Sequence, residues 1–249
     1  MTLDGLPAAA LARRWHVPHC RLLSSAGSAL DVAHDLGAAG APAGSVVVVE
    51  EQTAGRGRDG RSWSSPPGGV WLSVLLRPAG GAGAFGIVSI RAGLILADVV
   101  DELIGAPATR LKWPNDVLLR DRKLAGVLSE GRWQGDVLQW LAVGLGVNVA
   151  NEIPPSLRGM AIALAEVIPD VRPLDVLDRL VSPITRITLS SARLSDAECE
   201  AFAARDWLRD RELRQPIPGW ARGLRADGAL LVHGAEGMTA VWEGHVEPA

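Results

Sequence analysis

The chain has 249 residues, of which 48% are hydrophobic and 21% charged, with a formal net charge of -3. That length can bury one sizeable core with a small appendix, and the mildly acidic balance argues against broad nucleic-acid binding, which calls for a basic face. The two cysteines, Cys20 and Cys199, belong to no CxxC or Cys/His cluster, so a reduced, cytoplasmic protein is expected and a zinc site is not.

In chain order, the N-terminus carries Asp4 early and lacks the continuous apolar stretch of a signal peptide. Ala29 to Ala39 has apolar residues at helical spacing, ending near Gly37 or Gly40, and Val46 to Val49 is a β-branched run that reads as a buried strand. A second strand, Val70 to Leu76, is entered through Pro66-Pro67-Gly68-Gly69, which no helix could traverse. Ile87 to Ile104 has helical spacing and stops at Gly105. The apolar segment Phe85 to Val100 is too short, and too interrupted by Arg91 and Asp98, to span a bilayer.

Four strands are expected next, Thr109 to Trp113, Val117 to Leu119, Leu124 to Glu130 and Val137 to Val149. The short turns between them favour hairpins, hence an antiparallel or mixed sheet rather than βαβ units. Helical patterns follow at Leu174 to Ser190 and Asp196 to Leu213, and Gln215-Pro216 marks a boundary. Short strands at Trp220 to Leu224, Ala229 to His233 and Met238 to Trp242 suggest a small β-barrel packed on the main body. The expected organisation is α+β: residues 1–214 as a mixed or antiparallel sheet flanked by helices, and 215–249 as the small β domain.

Three clusters carry chemistry. The first, Gly55-Arg56-Gly57-Arg58-Asp59-Gly60-Arg61-Ser62-Trp63, follows a strand-like run. Glycine permits close backbone approach, and arginine offers a planar charged fork suited to carboxylates and phosphates. The run literally contains G-x-G-x-x-G, but it enters Ser64-Ser65-Pro66-Pro67 instead of a helix, and no acidic residue lies between Asp59 and Asp98. The dinucleotide-binding reading therefore fails, and a solvated basic turn is the plain alternative. The second cluster is Lys112-Trp113-Pro114-Asn115-Asp116 with Lys123-Leu124-Ala125-Gly126-Val127-Leu128-Ser129-Glu130. Strand alternation sends Lys123, Ala125 and Val127 to one face, so that Lys123 projects into a pocket or lies on the surface, as most lysines do. The third is Gly144-Leu145-Gly146-Val147-Asn148, an apolar strand whose glycines mark either a close ligand or a bulge.

In this order the three clusters resemble the motifs of the biotin protein ligases: GRGRxGRxW, KWPND, KxxGxLxE and GxGxN. Gly223 to Leu230 resembles that family's small SH3-like domain. The resemblance implies a class II synthetase-like catalytic domain and a two-step reaction. Biotin and Mg-ATP give biotinyl-5′-adenylate and pyrophosphate, and a lysine of a biotin carboxyl carrier domain then takes the biotin. It implies ATP, Mg2+ and biotin as the small molecules, with no dedicated protein metal centre. Lys123, Arg58 and Asp116 are implied as catalytic, and Ser28, Ala29, Leu30, Gln52, Gly55, Arg56, Gly57, Arg58, Lys123 and Gly126 as biotin-binding. Arg56, Arg58, Arg61, Trp63, Lys112, Asn115 and Asn148 fall on the nucleotide side. Asp116 and Asn148 are open between holding magnesium and, for Asp116, orienting the incoming lysine.

One departure stands out. The family usually has Ser-Thr-Asn where this chain has Ser28-Ala29-Leu30. Each lost hydrogen bond is worth about 1 kcal/mol, or roughly fivefold in affinity, which predicts weaker biotin binding. Only the residues before about position 20 precede the resemblance, too few for the DNA-binding domain that many relatives carry. A monomer or homodimer without nucleic-acid or membrane partners is expected. The alternatives are a lipoate or octanoate ligase or transferase, whose motifs are arranged differently, and a non-catalytic biotin or adenylate binder, for which this much positive charge is not needed.

Overall fold

The structure, a computed structural model, describes residues 1–77 and 85–249. At the N-terminus β1 (Thr2–Leu3) and β2 (Leu6–Pro7) form a two-stranded ribbon before α1 (Ala8–Trp15). The central sheet takes β3 (Cys20–Ala26), β4 (Val46–Gln52), β5 (Val70–Leu76), β6 (Thr109–Lys112), β7 (Asp116–Leu119), β8 (Arg122–Gln134) and β9 (Val137–Val147). Their spatial order is β3-β4-β5-β9-β8-β7-β6. Only β3 and β4 run parallel, and every other pair is antiparallel. The mixed sheet expected from the short turns is therefore present.

The run Val46-Val47-Val48-Val49 is buried throughout because both faces of the sheet are covered. Alternation sends Val46 and Val48 into the main core, and Val47 and Val49 into a smaller one beneath α2 (Ala29–Ala38) with Ala29, Leu30, Ala33 and Trp71. The main core lies under α3 (Phe85–Ile104) and α4 (Pro173–Thr185), and α5 (Asp196–Arg205) packs beside α3. Ser28 caps α2 by accepting from Leu30 N, the role a serine at that position favours.

Two helices are shorter than their apolar spacing predicts. The α4 helix ends at Thr185, not Ser190, and α5 at Arg205, not Leu213. Asp206 leaves the helix in an extended conformation, its carboxylate accepting from Leu208 N at 2.9 Å, while Trp207 N donates to Leu111 O on β6. Aspartate turning the chain this way competes with helix continuation.

A second sheet holds β10 (Glu212–Gln215), β11 (Gly219–Leu224), β12 (Leu230–Gly234), β13 (Gly237–Val241) and β14 (Glu247–Pro248). It is antiparallel in the order β13-β12-β11-β10-β14. This agrees with the SH3-like expectation, although β13 and β14 remain two separate edges and no closed barrel forms among the described residues. Its β11–β12 turn packs on α3, where a Cβ at Gly228 would lie 3.0 Å from Ile87. Trp113, fully buried, donates its indole N–H to Gly228 O at 2.8 Å and ties the two sheets together. Among the described residues no helix is long and apolar enough to cross a membrane.

Candidate active site

The arginine-glycine run folds back on itself as a short hairpin. Trp63 N donates to Gly55 O, Arg56 bridges Ser62, and Gly57 N donates to Arg61 O. The tip turns through Asp59 at φ 57° and Gly60 at φ 71°, left-handed conformations that asparagine-like residues and glycine tolerate best. Gly55 forms the base of the hairpin. A Cβ there would meet Trp63 O at 2.4 Å and Ser65 Oγ at 2.7 Å, so the chain can pass here only without a side chain.

The hairpin leans over a cavity of about 500 Å³. Every sequence-predicted site residue lines it except Gly55. Its floor is a strip without side chains, because Gly126 of β8 pairs with Gly146 of β9. The Trp63 indole lies on that strip: a Cβ on Gly146 would be 2.7 Å from Trp63 Nε1, and one on Gly126 3.4 Å from the same ring. Trp63 Nε1 is buried with no hydrogen-bond partner among the described residues, an arrangement that costs about 1–3 kcal/mol unless a ligand supplies an acceptor.

Alternation from Lys123 fails for a local reason. Val117 pairs with Ala125, but Leu118 pairs with Lys123, so Leu124 is an extra, bulged residue. A bulge re-aims the side chains that precede it. Leu124, Ala125 and Val127 all enter the main core, whereas Lys123 shares the cavity face with Gly126, whose Cβ would sit 3.5 Å from the ammonium. Lys123 Nζ is 2.7 Å from Asp116 Oδ1 and 4.9 Å from the centre of the Trp63 ring. Lys112 lines the same cavity. Burial lowers its pKa, with Asp116 opposing and Lys123 and Arg61 reinforcing the shift.

At the other end, Gln52 is fixed by its neighbours. Its Oε1 accepts from Ala29 N at 2.8 Å and Ser28 Oγ at 3.4 Å, and its Nε2 donates to Ser65 Oγ at 2.8 Å. Leu30 packs on Gly144, where a Cβ would come within 2.9 Å of Leu30 Cγ. Asn148 and Asn151 are buried, with Asn151 Nδ2 donating to Asn148 Oδ1 at 3.1 Å. The side-chain amide of Asn115 donates to Val127 O at 2.7 Å, which ties the β6–β7 turn to β8.

Sequence reasoning missed two parts of the wall. Gly244 to Val246, between β13 and β14, reaches the cavity from the second sheet, and Ile153, Pro154, Leu157 and Met160 form an apolar rim after β9. Neither carries a local signal, since both arrive by packing between distant segments. Among the described residues no group of three or more His, Cys, Asp or Glu side chains could hold a metal ion. The arrangement offers an anion several cations beside a narrow side-chain-free floor.

Residues 28–148 match the model of the biotin/lipoate A/B protein ligase family. The chain is 36% identical over 212 residues to the biotin–[acetyl-CoA-carboxylase] ligase of Paracoccus denitrificans, covering 78% of this chain and 86% of that one. It is 31% identical over 232 residues to the bifunctional ligase/repressor BirA of Bacillus subtilis, covering 86% and 69% respectively. Its fold is similar to that of the biotin protein ligase from Aquifex aeolicus in complex with biotin and ATP. The TM-score is 0.75 and the identity 27%, over 93% of this chain and 99% of that one.

Proposed function

The chain belongs to the biotin/lipoate A/B protein ligase family, and from that premise we propose how its residues divide the work of an ATP-dependent biotin protein ligase. The enzyme joins biotin to ATP and passes the biotin to a carboxylase carrier domain. In the first half-reaction a biotin carboxylate oxygen bonds to the α-phosphorus of ATP and pyrophosphate leaves. In the second, the carrier lysine amine attacks the acyl carbon, the C–N bond forms, the amine loses a proton and AMP leaves.

The observation that carries the reading is the Lys123 ammonium turned onto the glycine floor beside Asp116 and Trp63. Charge gathers at the α-phosphate during adenylation, and fixed cationic donors stabilise it there. Lys123 and Arg58 take the carboxylate–phosphate junction, with Arg56 beside them. Gly57 and Gly126 lie against bound biotin, and the polar end around Ser28, Ala29 and Gln52 receives its ring. Leu30 supplies an apolar wall where the family pattern has an amide. Trp63 Nε1 donates to a ligand oxygen, which relieves its burial. Arg61 and Lys112 face the leaving pyrophosphate, and Asn148 the nucleotide. Gly55 and Asn115 act by shaping the hairpin and the turn, which their packing and hydrogen bonds support. Asp116 steers the incoming lysine once Lys123 has moved to the anion.

Magnesium accompanies ATP as its counter-ion. Among the described residues no group of three or more His, Cys, Asp or Glu side chains surrounds Asp116, and no step is routed through the metal. The reading places the enzyme in the cytoplasm, as a monomer or homodimer and without a nucleic-acid partner, and the net charge of -3 supports the last of these. It divides the chain after residue 214, close to the start of the second sheet.

The test is mass spectrometry of a biotin carrier domain incubated with this protein, biotin and Mg-ATP. One biotinyl addition at one lysine is expected, and none with lipoate in a parallel incubation. Lipoylation without biotinylation would move the chain to the lipoate branch, and absence of pyrophosphate release with either acid would make it a binder only.

A further inference from the structure

Lys112 and Lys123 line the same cavity and are held in different ways. Lys123 is paired with Asp116 at 2.7 Å. Lys112, half-buried at the end of β6, makes no hydrogen bond or ion pair among the described residues. Its ammonium meets the Trp207 ring instead, with Nζ 5.5 Å from the ring centre.

Trp207 reaches this lysine from the segment between α5 and β10, and its neighbours fix the ring. Its backbone N–H donates to Leu111 O at 2.9 Å, next to Lys112 in the strand, and Asp206 bridges the same leucine in parallel. The indole N–H donates to Asp121 Oδ1 at 2.7 Å, in the turn between β7 and β8. The Arg211 guanidinium lies 3.9 Å from the ring centre. Leu208, the next residue, is fully buried in the main core and anchors the segment that carries the tryptophan.

An indole attracts an ammonium through the negative face of its π-system and takes none of its hydrogens. A carboxylate in the same place would occupy a donor and cancel the charge that a phosphate needs. The ring therefore holds Lys112 while leaving its charge and its three N–H donors to the cavity. Burial works against that charge, Lys123 and Arg61 add to the effect, and Asp116 and Glu247 oppose it.

We propose that Trp207 is the positioning residue for Lys112, holding its ammonium toward the leaving pyrophosphate through the face of the indole. Trp207 acts on the reaction only through Lys112, so its role rests on the reading that this lysine faces the pyrophosphate. The segment leading to the second sheet thereby takes part in nucleotide handling without itself lining the cavity.

The experiment is biotin-dependent ATP–pyrophosphate exchange on Trp207→Leu and Trp207→Phe, with Trp207→Leu repeated in a Lys112→Met background and thermal melting followed in parallel. Leucine fills much of the space without a π face, whereas phenylalanine keeps a face and gives up the bond to Asp121. Trp207→Leu is expected to raise KM for ATP and for pyrophosphate about five- to tenfold, the scale of one partly desolvated cation–π contact. KM for biotin stays near the natural value, and Trp207→Phe keeps most of the natural affinity. KM is a property of the folded molecules, so partial unfolding lowers the rate without imitating this pattern. In the Lys112→Met background the change to leucine adds nothing. An unaltered KM for ATP and pyrophosphate in Trp207→Leu, an equal rise for biotin, a phenylalanine variant as impaired as the leucine one, or the same increase without Lys112 overturns the proposal and leaves the biotin-ligase reading intact. If Lys112→Met alone changes neither constant, Lys112 does not meet the pyrophosphate and Trp207 has nothing to position. Absence of any biotin-dependent exchange in the natural chain would instead refute the reading itself, and the proposal with it.

Discussion

Lys123 and Asp116 form a 2.7 Å ion pair across the β7–β8 bulge, on the cavity side of the sheet. The pair is part exposed, so it adds little to stability, and its value is to fix where the ammonium points. Replacing Lys123 by alanine leaves Leu124, Ala125 and Val127 in the core. The expected result is a fall of roughly 100- to 1,000-fold in pyrophosphate exchange, the scale for losing one transition-state donor, with the melting temperature little changed. A variant that exchanges pyrophosphate at the natural rate would remove Lys123 from the chemistry.

Arg56 and Arg58 are neighbours on the hairpin in different states. Burial opposes the Arg56 charge, but hydrogen bonds to Asp31 and Glu130 outweigh it and hold its pKa above the ordinary value. The Arg58 guanidinium lines the cavity without a hydrogen bond or ion pair among the described residues. Arg58→Gly therefore removes the charge left available for an adenylate. The reactive intermediate should escape and label bystander lysines, measured as biotin on an added unrelated protein. Labelling confined to the carrier domain would assign the clamp elsewhere.

Much of this was legible in the chain because burial left local marks. The valine run of β4, the glycines of β8 and β9 and the arginine-glycine run are visible as patterns, but that the run folds back as a hairpin and that Gly126 faces Gly146 are not. The bulge at Leu124 was not, since an extra leucine looks like any other core residue and a slip of one changes the face of everything before it. Edge strand β3 was missed because it mixes Arg21 and two serines with its leucines, and because it joins its partner β4 through the crossover helix α2, with no hairpin turn to mark it. The contacts of Glu130 with His34 and Arg56 join three distant segments, and nothing local announces them.

The glycine floor makes a prediction of its own. Alanine at Gly146 would place a methyl 2.7 Å from Trp63 Nε1 and 2.9 Å from its ring carbon Cε2, closer than non-bonded atoms sit. The indole must lift from the strip, carrying the face beneath the Lys123 ammonium with it. Weaker binding of biotin and of the adenylate, by about tenfold or more, is expected with the fold retained. Calorimetric titration measures it, and tryptophan fluorescence reports the ring. Binding equal to that of the natural chain would mean the indole already leaves the strip when ligand enters.

Acid stability should be set partly by the second sheet. Asp227, in the β11–β12 turn, accepts from Arg225 Nη2 at 2.6 Å and Nε at 2.9 Å, from Ala229 N at 3.2 Å and from Trp242 Nε1 at 3.3 Å. The Arg225 hydrogen bonds are the largest cause holding its pKa down to about 2 from 3.8, against an opposing contribution from burial. A carboxylate depressed on folding stabilises the native state fully above its unfolded value, and this contribution disappears as pH falls from 3.8 through about 2. Asp227→Asn should lower stability at neutral pH and flatten the pH dependence across that acid window. Urea unfolding followed by tryptophan fluorescence at a series of pH values gives both slopes. Parallel curves for the two proteins would show that the Arg225–Asp227 pair contributes nothing to acid unfolding.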